Sequence, residues 1–111
     1  MADDAAGLEQ KLAVLRSSYA AKLPDKLEEI EEAAAPLSSE PSPEEARHAL
    51  DALHRLSHKL AGSGETFGFK DLGEVARQIE DACASLLEMD DPPSSRRREE
   101  LGELLKSLRA A

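Results

Sequence analysis

The chain of 111 residues has no tryptophan, one tyrosine and two phenylalanines, so its 41% hydrophobic fraction is carried mostly by alanine and leucine. Valine and isoleucine supply only Val14, Ile30, Val75 and Ile79, which is too little material for a β-sheet. The single cysteine, Cys83, cannot form an internal disulfide, and nothing asks for an oxidising compartment. No apolar run approaches the roughly 18 residues of a membrane span. The opening M-A-D-D-A-A-G lacks the basic-then-apolar order of a secretory signal, so the expected location is the cytoplasm. Basic residues are outnumbered, 14 Lys and Arg against 23 Asp and Glu, for a net charge of -9. That balance argues against nucleic acid as a partner, because phosphate backbones are held by a basic face.

What is present is helical material. Ala, Leu, Glu, Lys and Arg dominate, and these are the strong helix formers. One all-α domain over residues 1–111 is expected, with residues 1–6 frayed. Leu8, Leu12, Leu15 and Tyr19 recur at helical spacing up to Leu23. Pro24 is expected to end that helix and open a second one through Leu27, Ile30 and Ala34. The acidic outer face, Asp25, Glu28, Glu29, Glu31 and Glu32, reads as solvated. A loop over 36–43, P-L-S-S-E-P-S-P, leads to a helix start with Ser42 as N-cap, Pro43 first and Glu45 third. This third helix is expected to run from 43 to about 61 and to stop at the glycines that follow.

A fourth helix is expected over about 69–89, with Cys83 in its apolar stripe as a small core residue. D-D-P-P-S-S at 90–95 breaks the chain again, and a last helix follows on Leu101, Leu104, Leu105 and Leu108. Arg96, Arg97 and Arg98 fall in its first turn, where the helix dipole disfavours cations, with no local benefit visible in the sequence. Amphipathic helices joined by short connections predict an antiparallel four-helix bundle with an additional N-terminal helix packed at one end. The stripes suffice to close one bundle, so a monomer is expected.

The stretch 54–69, H-R-L-S-H-K-L-A-G-S-G-E-T-F-G-F, carries the chemistry. On a helical wheel Ala46, Ala49, Leu50, Leu53, Leu56, Ser57 and Leu60 share an arc about 120° wide. His58 lies roughly 140° from the centre of that arc and is exposed, while His54 sits at its flank. An exposed imidazole titrates near neutrality and is nucleophilic when neutral. Gly62, one turn on, offers either open space beside the ring or simply a helix stop. Lys59 and Lys70 are near enough in sequence to neutralise an incoming anion.

His58-Lys59-Leu60-Ala61-Gly62-Ser63, with Gly68 ten residues after the histidine, resembles the motif of the histidine phosphotransfer (HPt) domain, roughly H-x-L-K-G-[SA] and then a glycine. The resemblance extends to L-x-x-L-R-x-x-Y-x-x-x-L-P-x-x-L over 12–27 and to the helix carrying Ile79-Glu80. It implies that His58 is the phosphoacceptor through Nε2, with Gly62 leaving room for the phosphoryl group. Glu80 would accept a hydrogen bond from Nδ1, a role its place on the shoulder of its helix allows. The implied partners are receiver domains of response regulators, and such modules also occur inside larger sensor kinases. No cofactor is implied; the receiver brings the Mg²⁺, and the module is a phosphoryl carrier rather than an enzyme. The chain departs from the motif at Ala61, where the family commonly has lysine. The cation would then come from Lys59, Lys70 or the partner.

Two other readings compete. One is a small helical interaction bundle with a silent His58. The other is a metal-binding bundle, since His54 and His58 stand at i and i+4, a chelating spacing. His48 lies elsewhere on the wheel and no third ligand is evident, so no metal is expected.

Overall fold

The structure, a computed structural model, describes residues 2–89 and 91–111, with side chains from residue 6 onward. Among the described residues four helices follow one another: α1 (Ala2–Ala34), α2 (Pro43–Thr66), α3 (Lys70–Leu87) and α4 (Ser95–Ala110). A 3-10 turn over Ala35–Ser38 follows α1, and no strand occurs among the described residues. Among the described residues no helix is long and apolar enough to cross a membrane.

The first departure from expectation is at Pro24, which lies inside α1 rather than between two helices. A proline removes one helical hydrogen bond and crowds the carbonyl four residues back. Here that carbonyl belongs to Ala20, and both Ala20 and Pro24 are exposed, so water can satisfy the freed oxygen. The apolar stripe meanwhile passes through the proline without a change of face. Tyr19, Ile30 and Ala34 are buried, and Leu23 and Leu27 pack against them. Burial along that stripe outweighs the local cost. Helical turns also extend back to Ala2, into the segment expected to fray; Met1 lies outside the described residues.

There is consequently no separate N-terminal helix across one end. The first half of α1 continues in line: Leu8 is 59% exposed and Val14 67%. The molecule is elongated, 59 × 22 × 19 Å.

Helix α2 begins as its sequence dictates. The Ser42 hydroxyl accepts from the Glu45 amide at 3.1 Å, and Pro43 occupies the first turn. Ala46, Ala49, Leu50, Leu53, Ser57 and Leu60 are buried, as the wheel predicts, with Leu56 half-buried. Ser57 is the one buried polar side chain among them, satisfied by its own helix through the Leu53 carbonyl at 2.7 Å.

The helix does not stop at Gly62 but continues to Thr66. Its terminator is Gly68, at φ +86°. The Phe69 amide donates to the Gly64 carbonyl at 2.8 Å and the Gly68 amide to the Glu65 carbonyl at 3.2 Å. This pair of bonds is the Schellman arrangement, which needs a left-handed residue where Gly68 sits.

Helix α3 makes the most extensive pairing with α2. The contact is close because of two glycines. A Cβ at Gly64 would come within 3.3 Å of the Gly73 nitrogen, and one at Gly73 within 3.2 Å of the Ala61 carbonyl oxygen. Gly73→Ala should therefore push the helices apart. The expected loss is roughly 1–2 kcal/mol, net of alanine's better helix propensity. A urea titration checks this; an unchanged midpoint would mean that the contact yields freely.

At the other end of α3, Cys83 is fully buried and burial pushes its thiol up to about 12, leaving an inert core residue. Asp90 lies outside the described residues.

Helix α4 starts on the Ser94 cap, whose hydroxyl accepts from the Arg97 amide at 3.2 Å. The arginine triplet acquires a use that is invisible locally. Arg98 donates to the Leu37 carbonyl at 3.1 Å, satisfying an oxygen of the 3-10 turn. Arg109 pairs with Glu31 of α1 at 2.6 Å, holding that carboxyl below its ordinary range. Glu31 thus joins two helices rather than lying on a purely solvated face.

Candidate functional site

On α2, the buried arc and His58 lie on opposite sides, so packing the arc presents the imidazole outward; its side chain is 70% exposed. Only one flank of the ring is engaged. Nδ1 lies 2.8 Å from Glu80 Oε1, and Glu80 is 19% exposed on the shoulder of α3. An ionised carboxylate can only accept, so Nδ1 carries the hydrogen and donates. In the neutral ring that fixes the tautomer: Nε2 keeps its lone pair. Gly62 follows one turn later, and a Cβ built there would meet nothing within 4 Å. The structure thus brings together His58, Glu80 and the open space above Gly62.

Two sequence candidates, Lys59 and Lys70, each border a hollow of their own. Lys59 borders a hollow between α1 and α2, with Lys26, Glu29, Ile30, Leu56, Leu60 and Ser63. Lys70 borders another, with Leu23, Leu27, Gly68 and Phe69. Neither hollow includes His58, Gly62 or Glu80. Ala61 is 2% exposed at the contact with α3. His54 is half-buried and His48 exposed. Among the described residues no three His, Cys, Asp or Glu side chains converge as a metal site would require.

Two features of the surroundings escape a reading of the sequence. The chain's three aromatic residues meet at one point. The Tyr19 ring lies 4.8 Å from that of Phe67 and 5.5 Å from that of Phe69, and its hydroxyl is 2.7 Å from Ser63 Oγ. This cluster ties α1 to the last turns of α2, just beyond the histidine. The second feature is a bridge from Arg77 Nη2 on α3 to Glu65 Oε1 on α2. Both residues lie on the faces that carry the site: Glu65 is seven residues after His58, and Arg77 three before Glu80. The spacing is visible in the sequence, but only the packing of α2 on α3 reveals the pairing.

Comparison with known proteins agrees with the geometry. Residues 14–111 match the family described as Hpt domain. No curated protein and no solved structure matches the chain significantly. The match leaves out only the first part of α1 and includes the histidine, its carboxylate partner and all of α2 to α4. The chain therefore belongs to the Hpt domain family, the phosphocarrier modules that take part in histidine phosphotransfer in phosphorelay signalling.

Proposed function

We propose that His58 is the phosphoacceptor, and that the chain acts as one module with its helices in an antiparallel bundle. It would relay a phosphoryl group between the aspartates of receiver domains. The observation that carries this reading is the 2.8 Å contact from Nδ1 to Glu80 beside an otherwise open ring. With Nδ1–H held by the carboxylate, the Nε2 lone pair points to where a partner can approach.

The chemistry follows. Nε2 attacks the phosphorus of a receiver's aspartyl phosphate in line. The N–P bond forms as the P–O bond breaks, and the aspartate leaves as its carboxylate. The ring keeps its Nδ1 hydrogen and becomes cationic, and Glu80 lies next to the charge that develops. Transfer to a second receiver reverses these steps. Catalysis is mainly positioning and charge neutralisation, to which the receiver contributes its metal ion. The space over Gly62 admits the phosphoryl group, and Glu80 acts as a positioning residue. A cytoplasmic, monomeric carrier fits this role.

The test is incubation with a receiver domain carrying labelled phosphate. Label should move to this protein and be lost in acid but not in alkali, the behaviour of a phosphoramidate. Absence of label, or an acid-stable label, would overturn the proposal.

A further inference from the structure

The resemblance leaves one part of the site unfilled, the cation that would face the phosphoryl oxygens. The position where the family commonly has lysine is Ala61, which is buried against α3. The other helix carries a cation close to the site. Two bridges cross from α2 to α3: His58 to Glu80, and Glu65 to Arg77. On α2, Gly62 lies between their anchor points, four residues after His58 and three before Glu65. On α3, Arg77 lies three residues before Glu80, a rise of about 4.5 Å along the same face. The open space over Gly62 thus lies along α2 between the residues that anchor the two bridges.

Charge makes the same point. Glu65, Glu80 and Asp81 lie near Arg77, and all three hold its guanidinium in the charged state, Glu65 most strongly. An incoming phosphoryl group would meet three carboxylates here. Arg77 is the cation set among them.

Resting on His58 as the phosphoacceptor, we propose that Arg77 is the positioning residue for the phosphoryl group, taking the place of the lysine absent at Ala61. In the free protein Glu65 holds the guanidinium. On phosphorylation Arg77 exchanges the Glu65 carboxylate for the phosphoryl oxygens on Nε2. Arginine's planar fork suits two such oxygens at once. No proton moves in this exchange: the guanidinium keeps its hydrogens, and Glu65, about half-exposed, returns to water. Arg55, three residues before His58, projects toward the N-terminal side, away from Gly62, and serves as a control.

The experiment phosphorylates the protein with phosphoramidate, a small donor that needs no receiver. Nε2 displaces ammonia, which leaves with the proton it requires. The second ionisation of the phosphoryl group is then followed by ³¹P NMR against pH in wild type, Arg77→Gln, Arg77→Lys, Glu65→Gln and Arg55→Gln. A neighbouring cation favours the dianion. Arg77→Gln should therefore raise the midpoint by about half a unit, and Arg77→Lys should restore most of the shift. Glu65→Gln should leave the midpoint at or below that of wild type, and Arg55→Gln should leave it unchanged. Transfer from a charged receiver should fall about ten-fold in Arg77→Gln, a change of roughly one unit in log rate. A wild-type midpoint and rate in Arg77→Gln would overturn the proposal. So would Glu65→Gln impairing transfer as much as Arg77→Gln, which would mean that the pair merely braces α2 against α3. Wild-type protein that takes no phosphoryl group from phosphoramidate would instead overturn the assignment of His58, and this inference with it.

Discussion

His58→Gln should accept no phosphoryl group from a charged receiver, while His54→Gln should accept it at close to the wild-type rate. Glutamine has nearly the reach of histidine, but its amide cannot form the N–P bond. Most of the His58 side chain is in solvent, so the substitution should change stability by no more than about 0.5 kcal/mol. A matching thermal melt then separates loss of chemistry from loss of fold. His54 is one turn earlier and half-buried at the edge of the core face; it is His58 that meets Glu80. Label retained on His58→Gln, or lost from His54→Gln with its melt unchanged, would refute the assignment.

Gly62→Leu should separate function from stability in opposite directions. Space for a Cβ is free at this position, and the backbone is already helical. Replacing a helical glycine with leucine should stabilise the protein by about 0.5–1 kcal/mol, raising the melting temperature by roughly 2–6 °C. A helical side chain leans over the turn before it, which here is the turn carrying His58. The leucine would occupy the space that the attacking geometry needs, and a misplacement of about 1 Å can cost roughly 100-fold in rate. Melting and transfer measured on the same sample decide the matter. A more stable protein that transfers at the wild-type rate would show that the space over Gly62 is not used. Gly73 provides the contrast, because a side chain there meets the backbone of α2 and stability should fall.

The sequence was most legible where one helix face carries the information. The buried arc of α2, the exposure of His58 and the Ser42 cap follow from periodicity and local hydrogen bonding. The errors arose where distant contacts overrule a local signal. Pro24 and Gly62 both read as breaks, yet both lie within helices. In α1 the stripe from Tyr19 to Ala34 is held by the rest of the bundle. In α2 the turns after Gly62 are held by the Gly64–Gly73 contact and by Tyr19 on Ser63, Phe67 and Phe69. Arg98 had no rationale until the Leu37 carbonyl, 61 residues away, came within reach.

By itself, then, the sequence determined that the chain is helical, which face of α2 goes inward and that His58 is left outside. Those properties depend on residues within a few turns of one another. Only the tertiary structure decided what surrounds that histidine. The reach of Glu80 to Nδ1 and the bridge from Glu65 to Arg77 both depend on the register between α2 and α3. That register is set by the close approach of Gly64 and Gly73, where backbones rather than side chains meet. A helical period fixes the direction in which a residue points from its own axis. It does not fix how far a second helix has slid along the first.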